Sequence, residues 1–460
     1  MRLADTRGLI LAAALVLATG CGPAFEEPRI VQPTVETRQL RLGNGLVVVL
    51  QPDPTARDAH VLVRYHVGSK DDPSAQAGLA HLAEHLMFAP TSRTAPRNFN
   101  QMFDAHGAVD ANGSTSWDAT DFYEATSAEA LEPVLWLEAA RMASPLELVD
   151  QSALDREREI VANELRQHHD DAALGGVYDA VSKALFGSEH PYGRPVGGTA
   201  ETIGRIDLEA VRLHASKFYR PNDATLVVTG RFDASAVKTA VAGFFGRIPP
   251  GVDPPRLQVP VPAIRQHVRL DMRAAVESRA VVFAWAAPPA SHPDRVPVAL
   301  GLDGLRRRVA RSLPPKGLVS VETSLMGGRL ASMAVLIVRQ RGDIAADETI
   351  SIVDRVADNM PTLGRPFNPW FDFPFVKTRN KVNLLASVSS PGGRGFRVVD
   401  DLEHRGTADA LPDDLATVDG SDPNLVALTF AARILETPRV TLVVEPDPNA
   451  PPMGVLRGRP

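Results

Sequence analysis

The stretch "GLAHLAEHLMFAP", residues 78–90, places His81 and His85 four residues apart, with Glu84 immediately before the second histidine. On an α-helix, positions i and i+4 lie on one face about one turn apart, so both imidazoles can present a ring nitrogen to one metal ion. Glu84, three residues after His81, falls on nearly the same face but points slightly aside. A carboxylate there reaches a water on the metal without ligating it. A catalytic zinc site takes three protein ligands and keeps a fourth position open, so a third ligand must come from elsewhere in the chain.

The acids of "DREREIVANELRQHHD", residues 155–170, supply candidates. Glu157 and Glu164 are seven residues apart, two helical turns, and share a face. Glu164 is the natural third ligand, with Glu157 behind it to hold a ligating histidine by its far nitrogen. His168 and His169 are alternatives; His168, one turn beyond Glu164, reads better as a solvated surface residue. The order H-x-x-E-H is the inverted form of a zinc-peptidase helix motif. The plain alternative for the motif alone is a pair of structural histidines on an amphipathic helix.

These side chains need a scaffold. Two β-rich runs flank Asn44-Gly45, a strong hairpin signal, and "HVLVRYHV" predicts a strand over 60–67. The motif then sits on a helix from about 77 to 88, and helical patterns recur at 98–106, 129–142, 151–168 and 171–186. A strand near 224–232 and a helix at 234–246 close the first unit. "GRIPPGVDPPRLQVPVPA", residues 246–263, has six prolines and reads as a linker. Strands near 265–271 and 279–286, a helix near 293–311, a strand pair across "MGGR", helices at 345–359 and 424–435 and a final strand "RVTLVVEPD" follow. The expectation is an α+β fold of two units, 38–246 and 264–447, joined by the linker and ending in a loose tail, 448–460. The aromatic, proline-rich 365–375 reads as a packing loop.

Composition is ordinary for a globular protein: 460 residues, 44% hydrophobic, 23% charged, net charge −6 with the signs mixed. Nothing in it suggests a nucleic-acid surface. The only cysteine, Cys21, excludes an intramolecular disulfide. It follows Arg2, Arg7 and the apolar run "GLILAAALVLAT", the pattern of a secretory signal too short to remain as a membrane span. A cysteine directly after "LATG" resembles the lipobox of bacterial lipoproteins, in which it becomes the lipid-modified first residue. Residues 1–21 are therefore expected to be a signal peptide and 22–37 a proline-bearing tether. Gly22, where aspartate would resemble an inner-membrane retention signal, favours the periplasmic face of the outer membrane.

The surroundings of the motif carry a wider resemblance. "GSKDDPSAQAGLAHLAEHLMFAPTS", "EREIVANELRQ" and "HPYGRPVGGTAETIGRIDLEAVRLHASKFYRPNDATLVVTGRFD" resemble the catalytic domain of the pitrilysin and mitochondrial-processing-peptidase family. "HGAVDANGSTSWDATDFYEATS" resembles that family's substrate-binding edge strand, with Asn112 and Thr115 at its polar positions. The second unit matches more loosely, through "KTRNKVNLLASVSSPGGRGF" and the last helix and strand.

The resemblance implies paired α+β domains forming one half of a clam-shell, and a zinc-dependent endopeptidase with Glu84 as general base. It also implies an arginine and a tyrosine in the second unit that hold the substrate carbonyl and the oxyanion. The matching stretch here, "SLPPKGLVSVETS", has Ser320 in the tyrosine's place, and Arg311 is shifted from the arginine's position. All five tyrosines, Tyr65, Tyr123, Tyr178, Tyr192 and Tyr219, precede residue 220. A separate, zinc-free homologous subunit is therefore expected to supply the pair, in preference to a homodimer. The alternative from another class is a non-catalytic assembly or binding subunit that retains a zinc site; such a closed site would have no use for Glu84.

Overall fold

The computed structural model describes residues 35–89, 98–170, 176–261, 264–341, 344–360, 373–450 and 455–458; of 168–170 and 455–458 it describes the backbone alone. Cys21, the signal and tether segments, most of the 365–375 stretch and the His168 and His169 side chains lie outside that description.

Alternation and β-branching set the strands. In the first unit they are β1 (Arg38–Arg41), β2 (Val47–Pro52), β3 (Ala59–Tyr65), β4 (Val109–Thr115), β5 (Thr120–Thr126) and β6 (Ala224–Gly230). Their order across the sheet is β1-β2-β6-β3-β5-β4, with β2 and β6 parallel and the other pairs antiparallel. β3 and β6 are buried along their whole length and sit at the centre of the sheet, with Arg64 of β3 buried as a charged exception. β4, "VDANGST", is polar and forms the open edge. The Asn44-Gly45 turn forms as expected: Gly45 takes φ +91° and its N–H reaches Leu42 O at 2.9 Å.

The second unit repeats the plan. β7 (Val268–Ala274), β8 (Arg279–Ala287), β9 (Leu318–Met326), β10 (Ser332–Gln340), β11 (Arg439–Pro446) and β12 (Val455–Gly458) form a sheet in the order β12-β7-β11-β8-β10-β9. Again the one parallel pair, β7 with β11, lies among antiparallel neighbours, and β9 takes the edge that β4 takes in the first sheet. The end of the chain corrects the expected loose tail: β12 pairs antiparallel with β7. Without it β7 would present an unpaired row of backbone groups, and Val455 and Leu456 supply the extended residues that cover it.

Among the described residues, eight α-helices belong to the first unit: α1 (Leu79–Leu86), α2 (Phe99–Ala105), α3 (Leu131–Ala143), α4 (Gln151–Asp170), α5 (Val177–Phe186), α6 (Ala200–Gly204), α7 (Leu208–Phe218) and α8 (Ala234–Phe244). Six follow: α9 (Arg295–Ser312), α10 (Ala346–Asp358), α11 (Phe373–Ser387), α12 (Pro391–Arg405), α13 (Leu411–Gly420) and α14 (Pro423–Phe430). Among the described residues, no helix is long and apolar enough to cross a membrane.

The two sheets exchange helices. Val398 and Val399 of α12 pack on Val49, Leu62 and Val227 of the first sheet. Val177, Val181 and Leu185 of α5 pack on Val282, Val440 and Leu442 of the second. Polar pins reinforce both contacts. Arg64 of β3 holds Asp121 at 2.7 Å and Asp400 of α12 at 2.7 Å. Tyr192 donates to Asp118, whose carboxylate also accepts the N–H of Arg329 at 2.9 Å. Between the units, residues 249–261 run without regular structure, tied down by Asn222 to the Gly251 N–H at 2.7 Å and by Arg256 to Asp223 at 2.9 Å.

The start of α1 is fixed with particular care. Gly78 at its N-cap has φ +93°, and a β-carbon there would come within 2.6 Å of Gly197 O. Asp72, only 5% exposed, accepts the N–H groups of Gly78 at 2.8 Å and Ala80 at 3.0 Å. These are helix-end donors with no partner inside the helix. Asp72→Ala leaves both unsatisfied and buried, which should lower stability by about 1–3 kcal/mol in urea denaturation; an unchanged midpoint and slope would contradict this role.

Candidate metal centre

α1 buries six of its eight residues, Leu79, Ala80, Leu82, Ala83, Glu84 and Leu86. Its histidines lie along the remaining stripe, the His81 and His85 side chains 16% and 20% exposed. α4 packs against this helix and delivers Glu164. Its Oε2 lies 3.1 Å from His85 Nε2 and 3.8 Å from His81 Nε2. All three ligand atoms fall within 4.8 Å of one another, the only such group among the described residues. Donors at 2.0–2.1 Å from a tetrahedral zinc sit roughly 3.3 Å apart, so these side chains fit the ion with only small adjustments.

Glu157, two turns earlier on α4, places Oε2 3.5 Å from His85 Nδ1. His85 therefore lies between two carboxylates. Burial alone would lower its pKa, but Glu157 and Glu164 together outweigh that and hold it up at about 9. The same negative field that favours an imidazolium favours a cation in its place, once the proton has left.

Glu84 is 6% exposed, and burial pushes its carboxyl up to about 7, against the opposing pull of the Thr115 hydroxyl and of His85. Thr115 Oγ1 donates to Glu84 Oε2 at 2.6 Å. A β-carbon at Gly113 would meet Glu84 Oε1 at 2.7 Å, so the edge strand approaches the carboxylate as closely as a backbone can. Asn112 turns its side-chain oxygen to the Gly113 N–H at 2.9 Å. The two polar residues expected to face a substrate are thus both near the site, and in this state both side chains are engaged within the chain.

A cavity of about 920 Å³ opens over these groups, walled by residues 111–115 of β4, by Phe88 and Tyr178, and by Met326 from the end of β9. Neither Arg311, exposed in the last turn of α9, nor Ser320, bonded to Glu322 at 2.7 Å on β9, is among its lining residues. The sequence reading missed three contributors. Gly113 was visible as a glycine inside a strand, which signals close backbone approach. Gly197, whose added β-carbon would press on Leu165 at 2.7 Å and His81 at 3.5 Å, carried no comparable signal. Met326 reaches the cavity from the other half of the chain, which no local pattern reveals.

Glu157→Gln should lower zinc affinity about 10–100-fold in chelator competition, because the far nitrogen of His85 loses its anionic partner. Unchanged affinity would remove Glu157 from the centre.

Residues 47–200 match the insulinase family of peptidases, family M16, and residues 205–305 match that family's inactive domain. An uncharacterized zinc protease of Streptomyces coelicolor is 26% identical over 310 residues, covering 67% of this chain and 62% of its own length. One from Mycobacterium leprae is 34% identical over 207 residues, 45% of each chain. The zinc protease PqqE of Helicobacter pylori is 30% identical over 273 residues, 58% of this chain and 59% of its own. The matched region spans between 45% and 62% of these relatives' lengths. Among solved structures, a protease from Helicobacter pylori superposes with a TM-score of 0.77 at 21% identity, covering 90% of this chain and all of that one (100%). Pitrilysin superposes with a TM-score of 0.72 at 19% identity, over 95% of this chain but 48% of pitrilysin, so the fold here is that of one half. The chain belongs to the insulinase–pitrilysin family of peptidases, M16.

Proposed function

We propose that this chain is the zinc-bearing half of an endopeptidase acting on peptides or unfolded protein segments. The observation that carries the reading is the meeting of His81, His85 and Glu164 within 4.8 Å, beside Glu84. Bound there, zinc would supply Lewis acidity and lower the pKa of a coordinated water to about 7. Glu84 would take the proton from that water on Oε1, the oxygen Thr115 leaves free, and pass it to the leaving nitrogen. Its raised pKa suits both steps near neutral pH. Glu164 would complete the ligand set, and Glu157, 3.5 Å from the far nitrogen of His85, would hold that histidine in orientation. β4, an open sheet edge along the cavity, offers backbone groups to an extended peptide, a mode that tolerates varied sequence.

The same reading includes a zinc-free homologous partner. Supporting it, the chain matches half of pitrilysin, and no tyrosine follows residue 219 to serve from the second unit. It also includes a lipid anchor at Cys21 and a place on the periplasmic face of the outer membrane. Cys21→Ala should move the protein from the membrane to the soluble fraction; retention in the membrane would remove the anchor.

The second reading is an assembly subunit that keeps zinc without turnover. What favours it is a solved neighbour described as an M16 inactive domain, from Pseudomonas fluorescens, with a TM-score of 0.78 at 16% identity. One substitution separates the two. Glu84→Gln should reduce hydrolysis of a quenched-fluorescent peptide mixture about 10²–10⁴-fold while zinc content stays the same. Activity of the wild-type chain alone would remove the partner from the account, and silence with and without a partner would favour the scaffold.

A further inference from the structure

A guanidinium lies in the core of the first unit among four aromatic rings. Arg141 of α3 is 0% exposed. Its guanidinium carbon sits over Phe122 at 4.2 Å, Phe99 at 5.2 Å, Phe88 at 5.3 Å and Phe103 at 5.6 Å from the ring centroids. All four distances are inside the range of a cation–π contact. Its ionic partner is Glu138, one turn earlier on α3, which accepts from Nε at 3.3 Å and from Nη2. Nη1 is buried with no hydrogen-bond acceptor among the described residues. The other acid beside it is Glu124, 1% exposed. Burial, then the charge of Glu138, raises the Glu124 carboxyl well above the usual range against the pull of Arg141.

The rings belong to elements that reach the catalytic cavity. Phe88 continues the metal helix: its N–H donates to the His85 carbonyl at 3.1 Å, and its side chain lines the cavity. Phe99 opens α2 and donates its N–H to Phe88 O at 2.9 Å, and its neighbours Asn98 and Asn100 line the same cavity. Phe122 of β5 stands opposite Gly113 of β4, the glycine that meets Glu84. One cation therefore sits behind three pieces of the wall. A buried ion pair is a costly way to fill space, since replacing both members by apolar residues is often neutral or stabilising. What a cation offers and an aliphatic side chain does not is a directional attraction to the faces of the rings.

We propose that Arg141 is a positioning residue of this site: acting through Phe88, it holds the part of the cavity wall against which a bound peptide packs. Arg141 is not itself among the lining residues, so it acts from behind the wall. Without the cation, the half-buried Phe88 ring is free to tilt, and the peptide loses a fixed surface. The zinc ligands keep their places, because α1 is seated by its own buried residues. The inference rests on the peptidase reading for the nature of the ligand, and its test separates the two by measuring binding apart from turnover.

The test is the affinity of a short fluorescein-labelled peptide rich in leucine and phenylalanine for the zinc-loaded full chain carrying Glu84→Gln. Arg141→Met and Glu138→Gln are introduced together, so that neither charge is left unpaired in the core. This pair should leave zinc content and the urea midpoint unchanged and weaken peptide binding about tenfold. Phe88→Ala should weaken it by a similar factor, and all three substitutions together no further, because both changes act on one wall. Arg141→Lys keeps a charge beside Glu138 and so the fold, but a point charge cannot cover four ring faces at once, and it should show part of the same loss. Full affinity in the folded pair variant or in Arg141→Lys, a loss that adds in full to that of Phe88→Ala, or no saturable binding to the parent would overturn the proposal. Turnover is read separately with Glu84 intact. Binding in the expected pattern without cleavage would sink the peptidase reading alone, and cleavage with unaltered affinities would sink this inference alone.

Discussion

Everything proposed for this chain depends on the placement of one short helix. α1 can offer His81 and His85 to a single ion only because its other residues are locked into the core and its first turn is fixed by Asp72 and Gly78. An eight-residue helix is too short to be stable by itself, so tertiary packing supplies its order. α4 then adds Glu164 and Glu157 from one face, and β4 closes on Glu84 from the other side through Gly113 and Thr115. Loosening any of these supports would move donor atoms whose useful tolerance is a fraction of an ångström.

The electrostatics follow from the same packing. Three carboxylates and two imidazoles are gathered in a partly buried volume where charge is costly unless compensated. Metal-free, the cluster draws a proton onto His85. This is the behaviour of a site arranged around positive charge. Glu84 answers to different neighbours: burial raises it, and a hydroxyl holds only one of its oxygens. Two carboxylates on neighbouring helices, Glu164 of α4 and Glu84 of α1, thereby acquire distinct tasks from their surroundings alone, one suited to ligation and one to proton transfer.

Much of this was legible in the sequence because it follows helical and strand periodicity. The four-residue spacing of the histidines, the seven-residue spacing of Glu157 and Glu164 and the Asn44-Gly45 turn are local patterns with one geometric outcome. The polar run at 109–115 also took the sheet edge, as its resemblance implied. What stayed hidden is non-local. α5 and α12 show ordinary amphipathic patterns, and nothing in them says that each covers the other unit's sheet. The strand at 455–458 lies among prolines and glycine, so it exists because β7 offers an edge, not because its residues demand it. Arg295 of α9 and Arg397 and Arg405 of α12 meet at Asp414 of α13, more than a hundred residues apart at the extremes, and no motif joins them.

The peptidase reading stands on an open zinc site made by His81, His85 and Glu164. Diffraction at the zinc absorption edge, on crystals of the zinc-loaded full chain, tests it most directly. One zinc per chain is expected, bound by two imidazole nitrogens and the Glu164 carboxylate, with no fourth protein ligand. A zinc closed by a fourth side chain, or held away from α1, would contradict it.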